Sequence, residues 1–106
     1  MSTEVRTNLV TVVVPGYNDG EYLLENLESL QAQTYRNFEV VVVNDGSTDP
    51  KTLEVLGNLE QVFPSLDLRV YSQNNLGLRA TRNRGIREAR TKWSVTLDAD
   101  DMIAPD

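Results

Sequence analysis

Two nearly continuous valine runs, Leu9–Val14 and Phe38–Val43, constrain most strongly what this chain can fold into. A strand with one wet face alternates apolar and polar residues. An unbroken apolar run fits a strand buried on both faces, as in a parallel sheet. Two further β-rich runs follow, Leu68–Tyr71 and Ser94–Leu97. Helical patterns separate the four. Gly20 to Gln33 places Leu23, Leu24, Leu27 and Leu30 on one stripe, with Asn18 or Asp19 as its cap. A second helix starts at Asp49-Pro50, an N-cap followed by proline at the first helical position. Its stripe is Leu53, Leu56, Leu59 and Val62, and Pro64 ends it. A third helix runs from about Leu78 to Arg90. The order β-α-β-α-β-α-β predicts an α/β fold, a parallel Rossmann-like sheet with right-handed crossovers. The 106 residues amount to about one small domain, with no internal repeat, low-complexity tract or linker.

In such sheets ligands bind outside the carboxyl ends of the strands, near the point where strand order reverses. The residues after each strand therefore carry the functional reading. After the first strand comes Pro15-Gly16-Tyr17-Asn18-Asp19-Gly20. Turn chemistry alone accounts for Pro15, Gly16 and Gly20. Tyr17 is different, because an aromatic at a strand end offers a face on which a base can stack. After the second strand comes Asn44-Asp45-Gly46-Ser47-Thr48-Asp49. An Asx or Ser turn leading into a helix cap explains most of it. Asp45 needs no charge to make a turn, and a carboxylate there can accept a hydrogen bond from the imide N–H of a pyrimidine.

The third strand is followed by Gln73-Asn74-Asn75-Leu76-Gly77 and then a basic helix. Six of the ten basic residues lie between Arg79 and Lys92. Such a run is ordinarily a solvated face. On a helical wheel Leu78, Gly85, Ile86 and Ala89 define a sheet-facing stripe, and Arg82 falls inside it in the first turn. An arginine on the buried side needs a partner. Two partners compete. Phosphate suits a helix N-terminus and its dipole. An ion pair with Asp45 or one of Asp98–Asp101 is the other.

The fourth strand leads into Asp98-Ala99-Asp100-Asp101. Residues i and i+2 of an extended chain project to one side, so Asp98 and Asp100 face one cavity. Like charges this close repel, and a divalent cation removes the conflict. An acidic surface turn is the plainer alternative. The chain contains neither cysteine nor histidine, which excludes disulfides, thiol chemistry, zinc clusters and histidine triads. A bound metal must take oxygen ligands, as magnesium, manganese or calcium do. The net charge of −6 does not suit a general nucleic-acid binder. No apolar run approaches the ~20 residues of a membrane span. Met1 to Asn8 is polar, so no signal peptide is read and a cytoplasmic location is expected. There is neither a G-x-G-x-x-G after the first strand nor a G-x-x-x-x-G-K-[ST], which argues against dinucleotide dehydrogenases and P-loop NTPases.

From Val10 to Asp106 the chain resembles the family 2 glycosyltransferases, with the GT-A nucleotide-diphospho-sugar transferase fold. Five ordered blocks carry the resemblance. They are Val12 to Asn18; Leu27 to Tyr35; Val41 to Asp49; Asn75-x-Gly77 with Arg82-Asn83-x-Gly85-Ile86; and Leu97-Asp98-Ala99-Asp100-Asp101. Asn44 stands where the family often has an aspartate, and Gly16 where threonine or another small residue is common. The resemblance implies that Pro15 and Tyr17 line a base pocket and that Asp45 binds the base, usually uracil. It implies that Arg82 approaches the pyrophosphate or the base, that Asp98 touches the ribose or sugar, and that Asp100 holds Mn2+ or Mg2+ against the diphosphate of a UDP-sugar. Residues 1–106 would then be the donor-binding portion, ending just after the D-x-D, with the acceptor site and the general base of an inverting enzyme beyond Asp106. On that expectation this portion binds donor without turning over and self-associates through an exposed sheet edge. A non-catalytic nucleotide- and metal-binding module is the alternative. A receiver-like phosphoacceptor is a third reading, and it lacks both the acidic pair after the first strand and the late lysine.

Overall fold

The computed structural model describes residues 10–33 and 37–97. Seven elements follow in the expected order: β1 (Val10–Gly16), α1 (Gly20–Gln31), β2 (Phe38–Asn44), α2 (Pro50–Val62), β3 (Leu68–Ser72), α3 (Leu78–Glu88) and β4 (Trp93–Thr96). All strand pairs are parallel, in the order β3-β2-β1-β4. The chain steps outward from β1 to β3 and then crosses back to the far side of β1. Right-handed crossovers in opposite directions place their helices on opposite faces. Accordingly Val12, Val14, Val40 and Val42 pack with Leu23, Leu27, Leu30 and Leu59 of α1 and α2. Val13 points to the other face, against Gly85 of α3. This two-sided burial is why β1 and β2 are nearly all valine.

Several local expectations are corrected. Pro15 and Gly16 are not turn residues but the last residues of β1, opposite Val43 and Asn44, and Asn44 closes β2 rather than lying beyond it. The buried residues of α2 are Thr52 and Leu59, with Val55 and Leu56 partly buried beside the core, while Leu53 and Val62 are exposed. The helix meets α1 through Thr52, whose Oγ1 accepts the N–H of Gly20 at 3.1 Å and whose Cα would lie 3.0 Å from a Cβ on Gly20. In α3 the buried residues are Thr81 and Gly85, and both Leu78 and Ile86 are exposed. Small residues, rather than large apolar ones, mark where this helix meets the sheet. Arg82 is half-buried at the margin of that contact. β4 lies at a sheet edge and is exposed along its length, although Leu97 just beyond it is buried.

At the amino ends of the strands Glu39 ties several elements together. Its carboxylate accepts from Thr11 Oγ1, from the Arg90 N–H at 2.8 Å and from Arg69 Nη2 at 2.8 Å. Burial alone would raise its pKa. These donors prevail and hold it below the ordinary carboxylate value. No helix among the described residues is long and apolar enough to cross a membrane.

Candidate functional site

The carboxyl ends of β1 and β2 are locked together before any ligand is considered. The Asp45 N–H donates to the Gly16 carbonyl at 2.9 Å, and the Gln73 N–H to the Asn44 carbonyl at 3.0 Å. Asn44 makes the expected Asx turn, its Oδ1 accepting the Ser47 N–H at 2.9 Å, and its amide donates to Ser72 Oγ at 3.3 Å. Asn18, one of the two expected cap candidates for α1, does something else. It holds a left-handed φ of 53°. Its Oδ1 accepts the N–H groups of Thr48 and Asp49 at 2.8 and 2.9 Å, while its own N–H donates to Ser47 Oγ at 3.0 Å. The loop after β1 is thereby clamped to the loop after β2. Asp19 occupies the N-cap position of α1 without a side-chain capping bond, and burial pushes its pKa up. Asp49 caps α2 as expected, accepting the Thr52 N–H at 3.0 Å with Pro50 following.

Between these loops and α3 lies an open cleft lined by Pro15, Gly16, Tyr17, Asp45, Leu78 and Thr81. It sits where strand order reverses around β1, as an open α/β sheet requires. Tyr17 is 47% exposed and Asp45 only 5%. The cleft therefore joins an accessible aromatic ring to a recessed carboxylate. Burial alone would raise the Asp45 pKa, but donors from Leu76, Gln73 and Gly77 hold it below the ordinary value. Asp45 is ionised at neutral pH. A second depression opens between the starts of α1 and α2, lined in part by Asp19, Glu21, Asp49 and Lys51. It lies away from α3 and the reversal of strand order, so the β1–β2–α3 cleft is the better candidate.

Three of the sequence-predicted residues, Pro15, Tyr17 and Asp45, thus meet in one cavity. Arg82 follows Thr81, one turn into α3, and does not line the cavity. Asp98 and Asp100 lie outside the described residues. Leu97, the last described residue, donates its N–H to the Val13 carbonyl at 2.8 Å, alongside β1. Among the described residues no group of three or more acidic side chains gathers to hold a metal. With no histidine or cysteine in the chain, any metal donor set is oxygen, which fits Mg2+ or Mn2+. Sequence reasoning missed Leu78 and Thr81 as lining residues. The available signal was the small pair Thr81 and Gly85, four residues apart, which marks the close face of α3.

The sequence profile of the family described as Glycosyl transferase family 2 matches residues 11–106. The glycosyltransferase GlyA of Streptococcus pneumoniae is 41% identical over 99 residues, covering 92% of this chain and 14% of GlyA. The structure of Staphylococcus aureus TarS 1-349 in complex with UDP-GlcNAc superposes with a TM-score of 0.79 at 36% identity, over 92% of this chain and 28% of that one. The mannosyltransferase PcManGT of Pyrobaculum calidifontis, in complex with GDP-Man and Mn2+, gives a TM-score of 0.81 at 31% identity, over 91% of this chain and 28% of that one. The chain therefore spans less than a third of each of these proteins.

Proposed function

The chain belongs to glycosyl transferase family 2 and has the parallel GT-A architecture, and from that premise we propose that it carries the nucleotide-sugar donor site of a metal-dependent, inverting glycosyltransferase that uses a UDP-hexose-type donor. The carrying observation is the cleft at the ends of β1 and β2, where half-exposed Tyr17 faces the same space as ionised Asp45. Tyr17 supplies a ring for stacking and Pro15 a rigid wall. Asp45 Oδ2 accepts the Gly77 N–H, and a carboxylate oxygen can accept a second bond, here from an imide N–H. Arg82 stands one turn into α3, next to the helix N-terminus from which a diphosphate gains. Asp100 is assigned to the metal, and Asp98 to the ribose or sugar. A divalent ion there would stabilise the charge on the departing diphosphate. The TarS and PcManGT complexes support nucleotide-sugar binding as the class of activity.

On this reading the 106 residues bind the donor, and the proposed location is the cytoplasm. The edge strand β4, with Trp93 and Val95 more than half exposed, supports self-association, which the mass in solution at high concentration decides. The donor reading is tested by titrating the purified chain with UDP by calorimetry, once with Mn2+ and once with EDTA. Binding should require the metal, vanish in Asp100→Ala and weaken in Asp45→Ala. A well-folded chain that takes up no UDP in Mn2+ would sink it.

A further inference from the structure

Asp45 is engaged by more than the cleft. Its Oδ1 accepts the Leu76 N–H at 2.8 Å and Gln73 Nε2 at 3.1 Å, and its Oδ2 accepts the Gly77 N–H at 3.0 Å. One carboxylate thus holds two consecutive backbone amides immediately ahead of α3. Apolar burial does not fix that loop, since Leu76 is 63% exposed and Asn74, Asn75 and Gly77 are exposed too. The loop also comes within touching distance of the turn after β2. A Cβ on Gly46, which already has a φ of +77°, would lie 2.8 Å from the Asn75 nitrogen. Gly77 adopts a φ of +97° with open space around it, so it is the backbone conformation, not crowding, that suits glycine there. Its carbonyl then accepts both the N–H and the hydroxyl of Thr81, at 3.0 and 2.7 Å, starting the helix.

We propose that Asp45 is a positioning residue, a latch that fixes the 73–77 loop and the start of α3 relative to β1, and so sets the part of the cleft that receives the diphosphate end of the donor. The chain of contacts is continuous. The Asp45 backbone is fixed to Gly16 of β1, its side chain holds Leu76 and Gly77, and Gly77 begins the helix that bears Leu78, Thr81 and Arg82. A residue that only read the base would matter for one nucleobase. A latch matters for every ligand that uses the start of α3. This consequence for binding rests on the donor-site reading; the latch itself does not.

The variant is Asp45→Asn, which keeps the shape but presents a donor at one corner to an N–H. In the free chain, amide hydrogen exchange followed by NMR should show protection at Leu76 or Gly77 falling roughly ten- to a hundredfold, the range for a lost hydrogen bond to a charged group. Val13 and Val41 should keep theirs. Titrations with UDP, ADP and inorganic pyrophosphate in Mn2+ should lose affinity by similar factors. Unchanged protection at both amides overturns the latch. Lowered protection with loss confined to UDP overturns its role in positioning the diphosphate. If the wild type binds none of the three, the donor-site reading fails and the exchange result still decides the latch. Should Asp45→Asn not fold, acidification of the wild type decides. The Leu76 and Gly77 amide resonances must then shift with the midpoint of the Asp45 carboxyl carbon, and an unrelated midpoint overturns the proposal.

Discussion

The contact between α3 and β1 rests on one missing methyl group. A Cβ added to Gly85 would lie 2.2 Å from Val13 Cγ1, 3.1 Å from Cγ2 and 3.2 Å from Cβ. Carbon atoms pack at about 3.5–4.0 Å, so Gly85→Ala has to open a gap of more than ~1 Å. Val13 cannot yield by changing rotamer, because its own Cβ is already too close. It is also fully buried in the sheet between β2 and β4. The helix must lift instead, loosening Thr81 one turn earlier. Overpacking of this kind costs about 1–3 kcal/mol. Alanine returns up to about 1 kcal/mol through its better helix propensity. The net expectation is a loss of about 1–2 kcal/mol, or a urea midpoint lower by roughly 0.5–1 M at the m-values of small domains. Gly57, in the interior of α2, has nothing within 4 Å of its added Cβ. Gly57→Ala should therefore stabilise by about 0.5–1 kcal/mol. Urea unfolding of both variants, and of Gly85→Ala in a Val13→Ala background, gives the sign and the coupling. A Gly85→Ala chain as stable as wild type, or a double mutant that recovers nothing, would refute the packing argument.

Three further outcomes follow from the polar contacts. Glu39→Ala leaves the partly buried Arg69 guanidinium without its carboxylate and should cost about 3–5 kcal/mol, measured by denaturant unfolding. Asn18→Ala removes the acceptor of the Thr48 and Asp49 N–H groups, which turn to water, and forces alanine into a left-handed φ; a loss of about 1–2 kcal/mol is expected, read as a lower melting temperature. Acidification should destabilise the chain. Glu39 and Asp45 are held below their ordinary values of 4.5 and 3.8, so the stability they add is complete above about pH 4.5 and is lost as pH falls through their folded pKa values. Asp19, raised by burial, acts in the opposite sense and regains stability as it protonates. A melting temperature that rises between pH 5 and pH 3 would contradict that balance.

How far the sequence foretold this arrangement depends on what kind of signal each element carries. Unbroken valine in β1 and β2 announced two-sided burial, and two-sided burial with alternating helices leaves few topologies besides a parallel sheet. The strand ends then pointed to Tyr17 and Asp45, and the family resemblance added Pro15, before their cleft was known. The failures occur where a helix is positioned by something other than leucine. Hydrophobic periodicity put Leu53 and Val62 inward on α2, but the helix meets α1 through Thr52, which accepts the Gly20 N–H. It put Leu78 and Ile86 against the sheet, but α3 approaches through Thr81 and Gly85, which weigh almost nothing on a hydrophobic scale. Asp45 shows the same limit at the site. Its type and place suggested a ligand contact, while its hold on Leu76 and Gly77 depends on a loop more than thirty residues away folding back over it. Side-chain period reports which residues avoid water. It is silent about which small residue or hydrogen bond lets two backbones approach, and in this chain those close approaches set the shape of the cleft.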